Sequence, residues 1–279
     1  MPTSFDTDIE RAAALIEQAD LLLVAAGAGM GVDSGLPDFR GDDGFWKAYP
    51  ALARERLPFT AVASPQTFHE GPALAWGFYG HRLNLYRDTT PHAGFALLKA
   101  WGERMALGYA VFTSNVDGQF QRAGFDPQRI FECHGSIHHL QCLAPCGGDI
   151  WTADGFAPQV DSDACRLLNA APVCPHCGGL ARPNILMFGD DGWVERRAAV
   201  QEARLESLLN KARRPVVVEL GAGMAIPSVR YFSQRVVREF GGRLVRVNPR
   251  EAGVSTAMDV RLDCGALVGL VAIDQALRA

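Results

Sequence analysis

Residues 21–41 read LLLVAAGAGMGVDSGLPDFRG, and no other stretch narrows the possible folds as much. Leu21–Ala26 is apolar without a break, which reads as a strand buried on both faces, the kind found in parallel sheets. It runs straight into Gly27, Gly29 and Gly31. Glycines in that place let backbone N–H groups approach a pyrophosphate at a helix start. Val32 stands where the common dinucleotide fingerprint has its third glycine, so the glycines alone are a weak signal. Pro37-Asp38-Phe39-Arg40 sharpens it, because an ordinary dehydrogenase has no use for an aromatic ring and a guanidinium there.

The rest of the chain repeats the strand-then-helix rhythm. Helical spacing of apolar residues predicts a helix over 8–19, and further helices are expected over 64–87, 92–104 and 265–277. Strands are expected at Tyr109–Thr113, Ile130–Cys133, Pro215–Leu220 and Arg243–Val247. Residues 41–65 read as an irregular loop over a ligand. Strands alternating with helices predict an α/β fold, a Rossmann-like parallel sheet. In such sheets ligands bind at the carboxyl ends of strands. The Gly27 turn, Asn115, His134, Gly221 and Asn248 all fall just after predicted strands, which points to one shared site.

Residues 137–182 break the rhythm and are rich in Cys, Gly, Pro and Asp. Cys142-x3-Cys146 and Cys174-x2-Cys177 are two short-spaced pairs, and the second is followed by Gly178-Gly179. That pattern fits a closed four-thiolate zinc site holding a module too small to fold alone. His138, His139, Cys165 and His176 are substitute ligands of lower weight. The expected division is a Rossmann-like domain over 1–136 and 183–279, with a helical insertion at about 42–90, and a zinc-binding module over 137–182. Seven cysteines, an odd number in 279 residues, argue against a disulfide framework. The first twenty residues are acidic and amphipathic, unlike a secretory signal, and no apolar run approaches a membrane span. A formal net charge of −4 offers no global basic field for nucleic acid. A cytoplasmic protein with no membrane or nucleic-acid partner is the expectation.

GAGMGVDSGLPDFRG resembles the GAGxSxxSGIPDFRG signature of the sirtuins, the NAD-dependent protein-lysine deacylases. Thr113-Ser114-Asn115-Val116-Asp117 resembles their TQNID, with Ser114 in place of glutamine, and Gln119 and Phe120 replace a later leucine and histidine. Glu132-Cys133-His134-Gly135 matches their His-Gly motif, Val247-Asn248-Pro249 their strand-Asn motif, and Asp263-Cys264-Gly265 the segment near adenine. Gly221-Ala222-Gly223 stands where the family has GTS or GSS. Order and spacing agree from about residue 21 to 270.

The resemblance implies NAD as co-substrate and one structural zinc on Cys142, Cys146, Cys174 and Cys177. It implies His134 as general base, Asp117 holding the nicotinamide carboxamide, and Asn115 ordering the ribose side and its water. Gly27, Ala28 and Gly29 would meet the phosphates, with Asp38, Phe39 and Arg40 close by. Ser114 would reach the nicotinamide ribose, and Gly221, Ala222, Asn248 and Cys264 the adenosine end. The acyl oxygen of the substrate would attack the ribose, and the products would be lysine, nicotinamide and O-acyl-ADP-ribose.

Arg182–Asp190 (RPNILMFGD) resembles the family's RPxVVxFGE. Met187, Phe188 and Gly189 would there pair with an extended acyl-lysine peptide. Tyr79-x-x-Arg82 resembles the pair that binds the acyl carboxylate in malonyl- and succinyl-preferring sirtuins, and at helical spacing the two side chains share a face. The departures at Ser114, Phe120 and Ala222 leave two alternatives open: an ADP-ribosyltransferase or NAD glycohydrolase on the same scaffold, or a non-catalytic NAD sensor.

Overall fold

The computed structural model describes residues 4–38, 41–144 and 146–279. Its strands in chain order are β1 Leu21–Ala26, β2 Tyr109–Thr113, β3 Ile130–Glu132, β4 Gly135–Cys142, β5 Ile150–Thr152, β6 Val160–Asp161, β7 Arg166–Leu167, β8 Ala181–Ile185, β9 Pro215–Leu220, β10 Arg243–Val247 and β11 Val260–Leu262. Six of them form one parallel sheet in the order β11-β10-β9-β1-β2-β3. The chain therefore builds outward from β1 in one direction, then returns to β9 and builds in the other. The strand order reverses between β1 and β9, which is where an open α/β sheet forms a crevice at its carboxyl edge.

Alternation along β1 sets the two faces. Leu22 and Val24 point to one side, where they pack with Ile9, Leu98, Trp101, Leu270 and Ile273 from helices Ser4–Glu17, Ala93–Glu103 and Ala266–Ala276. Leu21, Leu23 and Ala25 point to the other, toward Leu205, Leu209, Phe232 and Val236 of helices Arg196–Leu209 and Ser228–Phe240. Every residue of β1, β2 and β9 is buried. Apolar area of that extent, at roughly 25 cal/mol per Å2, is the main force holding the sheet between its helices.

A third apolar cluster lies outside this sandwich. Phe45, Tyr49, Phe68, Trp76, Phe78 and Tyr79 pack there with Ile137, Leu140 and Met187. Residues 41–65, expected to be irregular, instead carry three short helices, Gly41–Ala48, Pro50–Arg54 and Phe59–Val62. Helices this short are not stable by themselves. Edge-to-face contacts of Phe45 with Phe59 and Phe78 hold them in place.

The helix expected over 64–87 is two helices, Pro65–Glu70 and Pro72–Asp88, parted at Gly71. Pro72 begins the second, a place where its missing N–H costs nothing. Ser64 makes no capping bond with its side chain, which donates to the Ala61 carbonyl instead. The first helix starts at Ser4 rather than at residue 8, and residues 137–182 hold the short pairs β4–β5 and β6–β7.

Helix Pro72–Asp88 lies on the cysteine-bearing segment. Trp76 Nε1 donates to the Ala181 carbonyl at 3.0 Å, and both terminal nitrogens of Arg87 donate to the carbonyls of Ala153 and Phe156. Gly77 has no room for a side chain, since a Cβ there would stand 2.1 Å from the Cys165 carbonyl oxygen. Among the described residues no helix is long and apolar enough to cross a membrane.

Candidate active site

The turn after β1 and the turn after β9 meet backbone to backbone. A Cβ on Gly27 would stand 2.8 Å from Cα of Ala222, and one on Gly29 would stand 2.7 Å from Cα of Gly221. The N–H groups of Gly27 and Gly29 donate to the carbonyls of Leu220 and Gly221. These glycines thus lock the two turns together, besides opening the crevice to a ligand. Gly221 adopts φ 58°, in the left-handed region that glycine tolerates. Ala28 is exposed at the rim, and a short 3-10 turn, Ala28–Ser34, follows.

The turn after β2 is tied to the same floor. Thr113 Oγ1 donates to the Ala26 carbonyl and accepts from the Asn115 N–H, while Asn115 Nδ2 donates to the Gly27 carbonyl at 3.0 Å. Asp117 is buried; its Oδ1 accepts from the Gln119 N–H at 2.9 Å. Burial pushes its carboxyl up to about 6, against the pull of that hydrogen bond. The imidazole of His138 donates from Nε2 to the Asp117 carbonyl.

His134 follows β3. Burial lowers its pKa, partly offset by a hydrogen bond to the Ser114 backbone, so the ring is neutral near neutral pH. Its Nε2 lies 3.1 Å from Ser228 Oγ, the first residue of helix Ser228–Phe240. Gly135 lets β4 leave this point, because a Cβ there would stand 2.1 Å from the Asn184 oxygen.

At the β9–β10 end, Asn248 is fully buried. Its Nδ2 donates to the Ala222 carbonyl and its Oδ1 accepts from the N–H groups of Arg250 and Glu251. Arg230 also donates to the Ala222 carbonyl, and Arg246 makes a buried two-pronged pair with Glu219 at 2.6 and 3.0 Å. Cys264 is half-buried beside this end, and Asp38 is half-buried at the other. Phe39 and Arg40 lie outside the described residues.

On the substrate side, Asp190 takes two hydrogen bonds from Arg182, at 2.7 and 2.8 Å, with both side chains sealed from solvent. Asp190 also accepts from the N–H groups of Met187 and Gly192, so it fixes the turn that carries Met187, Phe188 and Gly189. Gly189 sits at φ 62°. Met187 is buried, and Phe188 is exposed with its N–H on the Ala63 carbonyl.

Tyr79 and Arg82 are both buried in the third cluster. Arg82 donates from Nε and Nη2 to the Tyr86 hydroxyl, and its guanidinium lies over the Phe78 and Tyr86 rings. Burial pushes the Tyr79 phenol up, so it stays neutral; the charges of Arg82, Arg182 and Asp190 act on it.

Sγ of Cys142 and Cys177 lie 3.6 Å apart, as do those of Cys146 and Cys174. All four sulfurs fall within 4.8 Å of one another. Disulfide sulfurs would stand about 2.05 Å apart. Four thiolates at about 2.3 Å around a tetrahedral ion stand about 3.8 Å from each other, so the cluster fits one zinc ion with no open position. His138, His139, His176 and Cys165 are not part of it.

Sequence reading missed Ser228, Arg230, Arg182's buried pairing and the Glu219–Arg246 pair. A charge inside an otherwise apolar strand (Glu219 in PVVVEL, Arg246 in RLVRV) was the available signal for the last.

A sequence profile of the Sir2 family matches residues 27–209. A protein from Thermococcus kodakarensis named NAD-dependent protein deacylase is 30% identical over 250 residues, spanning 89% of this chain and 88% of that protein. NAD-dependent protein deacylase 2 from Pyrobaculum aerophilum is 31% identical over 253 residues, 87% of each chain. A solved Sir2 homolog–NAD complex superposes with a TM-score of 0.69 at 23% identity, covering 96% of this chain and 94% of that one.

Proposed function

This chain belongs to the Sir2 family, and on that premise we propose how its crevice works as an NAD-dependent protein deacylase. One observation carries the reading. A hydrogen-bond network joins the turns after β1, β2, β3, β9 and β10 at the switch point: Asn115 to Gly27, Gly29 to Gly221, Asn248 to Ala222, Cys133 to Thr113, and His134 to Ser228.

NAD enters as co-substrate. Gly27, Ala28 and Gly29 line the phosphate end, to which the family resemblance also assigns Asp38, Phe39 and Arg40, and Gly221, Ala222, Asn248 and Cys264 line the adenosine end. Asp117, buried two residues beyond Asn115, receives the nicotinamide carboxamide, whose departure leaves positive character on the ribose. His134 is the general base. A neutral imidazole with a depressed pKa carries the lone pair that this task needs. Acyl-lysine proteins are the partner, laid along Met187–Gly189.

The same reading assigns a sheet domain over 1–136 and 183–279, with a helical insertion at about 42–90, and a zinc module over 137–182. The zinc would hold that module and supply no chemistry to the substrate. It also extends the acyl range to malonyl- and succinyl-lysine. Tyr79 belongs to the cluster that contains Met187 and Arg82 lies over its Phe78 and Tyr86 rings, so a carboxylate on the acyl chain would meet a planar guanidinium there.

The test is mass spectrometry of the protein with NAD and matched acetyl-, malonyl- and succinyl-lysine peptides, with His134→Ala alongside. Deacylated peptide, nicotinamide and O-acyl-ADP-ribose from the wild type, lost by about 100-fold or more in the mutant, are expected. Nicotinamide released without deacylated peptide would make it a hydrolase or ADP-ribosyltransferase instead, and NAD binding without turnover a sensor.

A further inference from the structure

The imidazole of His134 stands against a hydroxyl of this chain, with Nε2 3.1 Å from Ser228 Oγ. A neutral imidazole offers one N–H and one lone pair, and a hydroxyl can donate as well as accept. In the tautomer with its N–H on Nδ1, the Nε2 lone pair that a general base must offer accepts from the Ser228 hydroxyl.

We propose that Ser228 is the proton-transfer partner of His134, standing between the imidazole and the ribose of NAD. A ribose hydroxyl gives its proton to Ser228 Oγ as the Ser228 proton passes to His134 Nε2. The ribose oxygen keeps the electron pair and adds to the acyl carbon, whose π pair moves onto the lysine nitrogen; His134 becomes imidazolium, and Ser228 ends as the hydroxyl it was. This step rests on the reading of His134 as base given above.

Two features of the local structure suit Ser228 to it. It opens a helix of 13 residues whose next residues, Val229 and Phe232, are buried, so its position is set by the core rather than by a loose loop. The positive end of that helix favours the negative character a relaying oxygen acquires. Ser228 and His134 are both only half-buried, which leaves room for a substrate hydroxyl at the pair. The nearby turn carries Ala222 and Gly223, whose side chains have no hydroxyl, so Ser228 supplies the one that meets His134.

The experiment compares Ser228→Ala and Ser228→Thr with the wild type in two assays on one acetyl-lysine peptide. One follows NAD-dependent deacylation; the other follows exchange of labelled nicotinamide into NAD, which reports only the earlier cleavage of the nicotinamide bond. The relay predicts that Ser228→Ala slows deacylation by about 100-fold, the order typical of a lost proton transfer, while exchange stays within about twofold. Ser228→Thr, which restores a hydroxyl, should recover most of the rate. Equal loss in both assays, no loss of deacylation, or failure of threonine to rescue would each overturn the proposal, as would ADP-ribose found attached to Ser228. If the wild type deacylates nothing, the functional reading itself fails and takes the relay with it; if the wild type is active and only the Ser228 pattern is wrong, the relay fails alone.

Discussion

A methyl group on Gly29 would stand 2.7 Å from Cα of Gly221, whereas one on Gly155, in the cysteine-bearing segment, would meet nothing within 4 Å. The two regions are built on different terms. At the crevice, two turns touch through their main chains, and the absence of side chains sets the distance between them. Around 137–182, apart from the close approach of Gly77 to the Cys165 carbonyl, the chain is placed by side-chain contacts: four thiols in one cluster, Trp76 and Arg87 donating to its main-chain carbonyls, and the sealed Arg182–Asp190 pair at its edge. The sheet region draws its stability from apolar strands buried on both faces. The small region buries less of itself and depends on a metal and a few strong polar contacts. Stability and site geometry therefore fail for different reasons in each.

Removing zinc is the strongest way to pull the regions apart. Chelation should release one metal per chain and abolish deacylation, since Met187–Gly189 is carried by the strand that leaves the cysteine segment. Hydrogen exchange should rise across 137–182 while β1, β2 and β9 stay protected. Loss of protection throughout would show that the two regions fold as one unit and would break the comparison.

Glycine substitutions test the other side. Gly29→Ala must push Gly221 away and should cost about 3 kcal/mol in urea unfolding, at the upper end of what overpacking costs. Gly155→Ala should change stability by less than about 0.5 kcal/mol. Comparable losses at both positions would mean that backbone contact is not what distinguishes the crevice.

The same contrast decided what could be read from sequence. β1, β2, β9 and β10 were legible because buried parallel strands are apolar runs, and the cysteine cluster was legible because spacing alone marks a thiolate site. Residues 41–65 were not. Their helices are four to eight residues long and exist because Phe45, Phe59 and Phe78 meet in space, a contact no local pattern announces. The break at Gly71 was hidden by continuous helical composition on both sides. Asn115 and His134 stood out by their positions after strands, and Asp117 by its resemblance to the family motif. Ser228 did not, because a serine after a proline reads as an ordinary turn until the fold brings it 3.1 Å from the imidazole. Asn248 shows a further limit: its strand-end position pointed to the shared site and the family resemblance to its adenosine end, while neither announced that its side chain hydrogen-bonds the backbone of Ala222, Arg250 and Glu251.

The smallest expected effect is also the most selective. Arg82 lies in the aromatic cluster with Tyr79 and Tyr86, where the tyrosines are neutral and the guanidinium is the fixed charge. An acetyl group brings nothing for that charge to bind, whereas a succinyl or malonyl carboxylate can accept charge-assisted N–H bonds from it. A hydrogen bond to a charged group contributes about 1.5–3 kcal/mol, so Arg82→Met should lower kcat/KM for succinyl-lysine by roughly 10- to 100-fold. Acetyl-lysine should lose no more than about threefold, a loss that reflects only the repacked cluster. Methionine keeps the length and flexibility of the side chain, so the cluster retains its volume and the charge is what is removed. A parallel fall on all three acyl groups would assign Arg82 to the architecture of the small region and leave acyl choice to the Met187–Gly189 turn.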